Sequence, residues 1–554
     1  MSGERPPKSH DGGQDGQEVQ AAEGVADGEE MEGVAAGGRG PAHGRPSGLG
    51  GNGAGSGGGG HSAAETARYP LTPSLDKNLQ VLRQRLGFGV SFDICIQDIL
   101  VANRRAAVIV IDGLVNGLMV QRLIMALVAR THPEALNQAE EGPLAYMRKT
   151  VVGYYETEQV ESLDEVVDKV LSGQLALLLD GDPRALIVDM RAYPVRSVEE
   201  PDLERVTRGA RDGFVETVLF NSALIRRRIR DPRLRIEVLT AGRRSKTDVL
   251  LCYIDGVAPK QLVQRLKKRI EEVDTDGLPM GSKSLEEYVT RMRINPLPIV
   301  RYTERPDVVA AHLLEGHVAV LVDTTPQAMI LPATAFDFLQ HSEEYYQSPS
   351  VGTYLRWVRV IGYFLSFLLV PVWLGLVTSG PPPALSWLGP KGSPGVVPLL
   401  LQFLLIEVGI DVTRQAFVHT PAPLASSLGI IAAVLLGQFA VQVGLVINEV
   451  ILYSAIAAVG FFAIPNLEFA LGMRLLRYLA IIPAGIWGVP GVIGGLALIL
   501  VIFAFTKSFG LPYLWPLIPF NKDAFVRALL RPPVPVVGTR TLPAVEDRRT
   551  KPPQ

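Results

Sequence analysis

The chain has 554 residues, a formal net charge of -2 and two cysteines, and 47% of its residues are hydrophobic. This length is too great for one ordinary domain. The near-neutral charge argues against general nucleic-acid binding, and two cysteines are too few for a disulfide framework.

The first 68 residues are rich in Gly, Ala and acidic residues and almost lack aromatics, which predicts a disordered tail at 1–68. Gly48, Gly50 and Gly53 have the spacing of a dinucleotide-binding loop. Since no predicted strand precedes them and no predicted helix follows, we interpret them as part of a glycine tract. No secretory signal follows Met1, so we expect the first spanning helix to direct insertion and the front half to stay in the cytosol.

An internal repeat follows the tail. The sequence Val-Ile-Asp-Gly at 110–113 recurs as Tyr-Ile-Asp-Gly at 253–256, and Asp-x-x-Pro at 180–183 recurs at 323–326, both 143 positions later. Each copy indicates a strand ending at Asp-Gly, two helices, and two strands around a turn. The predicted strands are Ala107–Ile111, Leu175–Leu179 and Ala185–Val188, and then Val249–Ile254, Val318–Val322 and Ala328–Leu331. We predict two similar cytosolic α/β subdomains, at 69–200 and 233–348.

The segment 201–232 between the two copies is dense in arginine. It predicts a helical linker with a basic end. Three interpretations remain open for it: a solvated face, a contact with anionic lipid headgroups, or a contact with an acidic partner surface.

The region 355–506 consists of apolar blocks separated by short turns, which predicts a polytopic helical transmembrane domain. Its blocks include Ile361–Val377, Leu424–Ile447 and Val450–Ile464. Positive residues mark the cytosolic ends of membrane helices, and Arg356, Arg359, Arg474 and Arg477 are assigned there.

The last apolar block, Leu475–Thr506, is too long for one untilted crossing at 1.5 Å per residue. A broken hairpin would give six crossings in total, and a single tilted or kinked helix would give five. The hairpin is preferred, because it leaves the basic, proline-rich tail at 507–554 in the cytosol.

One predicted membrane helix carries charges. Glu407, Asp411 and Arg414 share one helical face, since their spacings are four and three. Charges in a membrane segment are costly unless they are paired or face water, so they are candidate pore-lining residues. The alternative is that the helix leaves the lipid near Glu407. Gln438 and Gln442 add a polar stripe to the next helix, where helix–helix hydrogen bonding is the alternative.

Motifs for enzyme chemistry are absent from the sequence, including the phosphate loop, the zinc-protease helix and the nucleophile elbow. The prediction is a protein that is not an enzyme, with no cofactor and no metal site.

Two groups of residues resemble the A subunits of bacterial spore germinant receptors, the GerA family. These candidate family-motif and interface residues are Arg208, Gly209, Gly213, Phe214, Glu216, Asn221, Arg226 and Arg228, and then Thr303, Glu304, Arg305, Pro306 and Asp307. The resemblance spans about residues 70–532. It departs from ordinary A subunits just after Glu407, where Gly-Ile-Asp stands at 409–411, and this departure puts a dedicated nutrient-sensing partner in doubt.

The resemblance implies a multi-pass protein of the spore inner membrane that acts in germination. Its implied partners are membrane lipid, other germination membrane proteins and further copies of itself. It also implies an oligomeric ion-conducting channel. We expect the Glu407 face to line it, and rings of acidic side chains there would select monovalent cations. A non-conducting scaffold that docks other germination proteins is the main alternative, with a solute permease behind it.

Overall fold

The structure is a computed structural model that describes residues 69–550, apart from 155, 194–203, 292–293, 382–388, 391–396, 419–439 and 544. The predicted disordered tail and Gln438 lie outside the described residues, as does most of the predicted helix Leu424–Ile447.

The first α/β subdomain is a five-stranded antiparallel sheet in the order β1-β2-β4-β5-β3, with helices on both faces. Its elements are α1 (Leu75–Leu86), β1 (Ile94–Val101), β2 (Arg104–Ile111), α2 (Gly117–Arg130), α3 (Pro133–Asn137), α4 (Pro143–Met147), a π-helical turn (Arg148–Val152), β3 (Thr157–Val160), α5 (Leu163–Leu171), β4 (Leu175–Leu179) and β5 (Ala185–Val188). Strand β2 is apolar along its buried length because successive side chains enter the cores on opposite faces of the sheet.

The second α/β subdomain repeats this sheet in the order β6-β7-β9-β10-β8. Its elements are α6 (Val218–Arg228), β6 (Leu234–Ala241), β7 (Thr247–Ile254), α7 (Lys260–Glu271), α8 (Ser282–Thr290), β8 (Arg301–Thr303), α9 (Pro306–Leu314), β9 (Val318–Val322) and β10 (Ala328–Leu331). The predicted pair of related α/β subdomains is confirmed.

The repeat is longer than the sequence indicated, because α1 and α6 are equivalent helices 143 positions apart. Asp180 accepts a hydrogen bond from the first backbone N–H of α1 (3.0 Å), and Asp323 does the same for α6 (3.2 Å). Both donors therefore gain a carboxylate partner at a helix N-terminus. The basic helix that the sequence placed in a linker is thus the first helix of the second subdomain.

A helical domain follows the second subdomain. It contains α10 (Glu343–Tyr346), α11 (Pro349–Ser379), α12 (Leu399–Val418), α13 (Asn448–Phe462), α14 (Leu467–Trp487) and α15 (Val489–Phe505). A two-stranded hairpin of β11 (Lys507–Ser508) and β12 (Leu511–Pro512) comes next, and then α16 (Lys522–Leu529). Among the described residues, α11 and α14 are long and apolar enough to cross a membrane, while α13 and α15 are apolar but shorter.

The long apolar block before residue 506 is a helical hairpin, which was the preferred alternative. Gly488, at a positive φ of 65°, separates α14 from α15. The two helices pack so closely that a Cβ on Gly495 would lie 2.4 Å from the Leu479 carbonyl oxygen. The predicted helix end at Ile447 is wrong, because the chain already turns at 443–446. The next helix, α13, begins at Asn448 instead of the predicted Val450.

Several helix ends lie against the second subdomain. Glu468, in the first turn of α14, is paired with Lys283, and Thr506, directly after α15, accepts a hydrogen bond from Asn295 (2.7 Å). The C-terminal tail returns to the same subdomain, where Leu542 and Val545 are buried in its core. The α/β subdomains and the tail therefore lie at the same end of the helical domain.

Candidate functional site

The predicted charged face of α12 leads to a buried ion cluster. Glu407 is 1% exposed and its carboxylate accepts hydrogen bonds from Arg474 (3.1 Å) and from Arg477, both on α14. Arg474 also donates to the Glu407 backbone oxygen (2.9 Å), and Arg477 donates to the Ser366 oxygen on α11 (2.6 Å). The pair of Glu407 and Arg477 thus joins three helices, α11, α12 and α14.

The remaining predicted polar residues are placed differently. Asp411 pairs with Arg474 (2.9 Å), but its side chain is 41% exposed. Arg414 lies over the Phe461 ring at 5.8 Å, and Arg474 lies over the same ring at 5.6 Å. Gln442 is exposed, just before α13.

The arginines of α14 have a role that the sequence did not indicate. Arg474 and Arg477 were assigned to the cytosolic ends of membrane helices, which stays a prediction, and the structure shows both buried among apolar helices and paired with Glu407. Buried guanidinium groups with carboxylate partners do not report the side of a membrane, because their charge is already satisfied within the protein.

The second charged group lies in the family-motif segment of the second subdomain. Arg305 is fully buried, donates to Asp307 (2.8 Å), and donates to the backbone oxygens of Glu204 (3.2 Å) and Ala210 (2.9 Å). Burial raises the pKa of Asp307, but the hydrogen bonds from Arg305 and Tyr346 outweigh burial, so this pKa lies below its ordinary value. The motif therefore holds the chain before α6 against α9.

Arg226 ties the two α/β subdomains together. Its guanidinium is 1% exposed and donates to Asp93 (2.7 Å), to Ser91 (3.2 Å) and to the backbone oxygen of Leu234 (3.1 Å). Because all three contacts lie within the chain, Arg226 is not a surface residue for an outside partner.

The other motif residues are mostly structural. Arg228 donates to Asp212 (2.6 Å), and Asn221 makes two hydrogen bonds with the Val215 backbone. Gly213, Phe214 and Thr303 are buried, and Pro306 is the first residue of α9. Gly209 lies against the Tyr346 ring, and the Glu304 backbone oxygen accepts a hydrogen bond from the Phe214 N–H. Arg208 and Glu216 are exposed.

Comparison with known families matches residues 80–542 to the Bacillus/Clostridium GerA spore germination protein. The chain belongs to the GerA spore germination protein family. The resemblance expected from the two motif groups is confirmed.

Relatives in the GerA family cover most of the chain. It is 41% identical to stage V sporulation protein AF of Bacillus subtilis (strain 168), over 85% of this chain and 94% of the relative. It is 32% identical to spore germination protein KA of the same organism, over 84% and 85%. It is also 30% identical to the uncharacterized membrane protein YfkQ, again of Bacillus subtilis (strain 168), over 83% and 90%.

One solved structure is also similar to this GerA-family chain. The N-terminal domain of the A subunit of the Bacillus megaterium spore germinant receptor GerK3 is 28% identical, with a TM-score of 0.38. The match covers 48% of this chain and 96% of that one.

Sequence reasoning missed the partners of the charged residues. Besides Arg474 and Arg477, it missed Glu344, which is fully buried and accepts hydrogen bonds from Arg356 (2.6 Å) and Arg359 on α11. In both arginine pairs the residues are three positions apart beside apolar sequence. This spacing places them on one helical face, where two guanidinium groups can reach one carboxylate, but it does not identify that carboxylate. No group of three or more metal-binding side chains occurs within the described ranges.

Proposed function

We propose that this chain is a multi-pass protein of the spore inner membrane and acts in germination as one subunit of an oligomeric channel for monovalent cations. Membership of the GerA family supports the germination role. Two long apolar helices, two shorter ones and a relative named as a membrane protein support the location.

The directions of the helices support six crossings. Helix α12 runs antiparallel to α14, with Leu400 beside Gly485 and Asp411 beside Arg474, so it ends near the α/β subdomains. Helix α13 runs antiparallel to α11, with Tyr453 beside Trp373 and Gly460 against Gly362, so it begins at the opposite end. The end of α12 and the start of α13 thus lie at opposite ends of the described helices, which supports the six-crossing alternative with both chain ends in the cytosol.

The exposed apolar face that α12 shows among the described residues carries the proposal of an oligomer. Its outer face exposes Leu401, Leu405, Val408 and Val412, whose spacing forms one apolar stripe. Asp411 lies at the margin of this stripe. Neighbouring copies packed around α12 would cover the stripe and bring several Asp411 carboxylates together, and rings of acidic side chains select cations.

Of the two predicted acidic pore residues, Asp411 fits the conducting role better. Glu407 faces two arginines at nearly complete burial, so its charge is compensated before any ion arrives. Asp411 keeps access to solvent while contacting one arginine. We assign ion selection to Asp411 and helix positioning to Glu407.

The test is potassium flux through the full chain reconstituted in liposomes. Asp411→Asn should reduce the flux, because it removes charge from the path. Asp168→Asn, on the exposed face of α5, serves as the matched control and should leave the flux unchanged. A wild-type oligomer that conducts no cation under any trigger would refute the proposal, as would equal fluxes for the two variants.

A non-conducting scaffold is the second candidate, and a comparison of the two repeats favours it. The exposed face of α2 carries Leu118, Met125 and Val128, where the equivalent α7 positions are Gln261, Lys268 and Glu271. A contiguous apolar patch on a protein surface often marks a site of contact with another protein. If the chain is a scaffold, Met125→Glu should abolish co-purification with other germination membrane proteins, and neither the wild type nor this variant should pass potassium in liposomes.

A further inference from the structure

A short loop of the second subdomain lies among the ends of the apolar helices. Asn295 donates to Thr506 at the end of α15 (2.7 Å), and the Pro296 carbonyl oxygen lies so close to Gly472 that an added Cβ would be 2.2 Å away. Gly472 is about 8 Å along the axis from the first residue of α14, at 1.5 Å per residue. The loop therefore sits beside the first turns of a helix that we assign to the membrane.

The loop exposes an apolar side chain near the first turns of α14. Ile294 is 93% exposed, the largest value among the exposed large hydrophobic residues of the described chain. Burying an isoleucine side chain in an apolar phase is worth about 1.5–3 kcal/mol. On the membrane location proposed above, lipid surrounds the first turns of α14, and Ile294 lies on the loop that contacts those turns.

A cleft of about 870 Å³ adjoins the loop, between α7, α8 and the first turn of α14. Both signs of charge line it. The cations are Arg269, Lys283 and Arg291, and the carboxylates are Glu272, Glu286, Glu287 and Glu468. A surface with nearly balanced charges matches a zwitterion better than it matches a purely anionic group, because an anion would face the surplus carboxylate charge.

We propose that Ile294 inserts into the lipid at the membrane surface and that the adjoining cleft binds a zwitterionic phospholipid headgroup, a phosphodiester with a primary ammonium. Arg291, which is exposed and also pairs with Glu272 (3.0 Å), faces the phosphate with its remaining N–H groups, since a guanidinium makes forked contacts with phosphate oxygens. The exposed carboxylate of Glu287 faces the ammonium. The second subdomain is thereby held to the bilayer by a lipid as well as by its covalent connection to α11. This proposal rests on the membrane location proposed above.

Depth-dependent fluorescence quenching tests the insertion of Ile294. The full chain carries Cys95→Ser, because Cys95 is exposed while Cys252 is buried. Ile294→Cys is then labelled with a polarity-sensitive fluorophore in liposomes that contain nitroxide-labelled phosphatidylcholine. Two matched controls carry the same label: Leu452→Cys on the exposed face of α13, and Leu100→Cys at the end of β1 in the first subdomain.

The labels at 294 and 452 should lose emission to the nitroxide and shift to shorter wavelength, whereas the label at 100 should do neither. If the label at 294 behaves like that at 100 while the label at 452 is quenched, the insertion of Ile294 is refuted and the membrane location stands. An unquenched label at 452 refutes both.

The lipids that the purified chain retains show which headgroup the cleft binds. The full chain is purified from nanodiscs with equal amounts of phosphatidylethanolamine, phosphatidylcholine and phosphatidylglycerol, and the retained lipids are identified by mass spectrometry. Phosphatidylethanolamine should be enriched in the wild type, and the enrichment should be lost in Arg291→Gln. Arg243→Gln, a similarly exposed arginine outside the cleft, should retain it. Equal retention of the three lipids, or enrichment of phosphatidylglycerol, would refute the headgroup assignment.

Discussion

Neutralising Glu407 should destabilise the helical domain strongly. Glu407→Gln keeps the shape of the side chain but leaves Arg477 and Arg474 without their buried carboxylate. Breaking one partner of a buried ion pair costs about 3–5 kcal/mol. At about 2–4 °C per kcal/mol for a domain of this size, the unfolding midpoint should fall by roughly 6–20 °C.

The assay is thermal unfolding of the purified full chain, followed by tryptophan emission. Trp373 is a suitable reporter, because its ring lies 5.6 Å from Phe403 on α12 and 4.9 Å from Tyr453 on α13. Asp411→Asn is the control. Its side chain is 41% exposed, and partly exposed ion pairs are worth about 0–1 kcal/mol.

A second substitution checks the physical reason. Adding Arg477→Met to Glu407→Gln removes the orphaned cation and should recover part of the lost stability, since the two changes affect one interaction. Equal midpoints for Glu407→Gln and Asp411→Asn would refute the reasoning, and so would a double variant whose losses simply add.

Two further predictions concern the α/β part. Arg226→Met leaves Asp93 buried without its partner and should lower the free energy of unfolding by about 3–5 kcal/mol. The loss should appear as faster proteolysis between the two subdomains. Arg208→Met, at an exposed position, should have no such effect. Burial, reinforced by Arg359, lowers the pKa of His341 to about 4, so the unfolded chain binds a proton that the folded chain does not between about pH 6.5 and 4. Stability should therefore fall as pH falls through that window, and His341→Gln should reduce the fall in unfolding midpoint between pH 7 and 5; an unchanged pH dependence would contradict this.

The inner strands and the repeat were predictable, while the sheet edges were not. Strands β4, β5, β9 and β10 are short apolar runs buried on both faces, and turn residues bound them, so local sequence is enough. The missed strands β1, β3, β6 and β8 are the sheet edges. In β1, β3 and β6 several residues face solvent, and β8 is only the three residues Arg301–Thr303, so no continuous apolar run marks these strands.

The sequence by itself determined the family and the inner strands of the two subdomains, and it favoured the hairpin at the end of the apolar region over a single helix. These features depend on apolar runs, glycine positions and motifs that are read over a few neighbouring residues.

Only the tertiary structure decided what the charged residues do. Glu407 meets arginines 67 and 70 positions away, and Arg226 meets an aspartate 133 positions away. A charge on an apolar helix is compatible with a water-filled path or with a buried partner, because both satisfy it. Which of the two holds depends on the helices that pack alongside, and the spacing of residues within one helix carries no record of them.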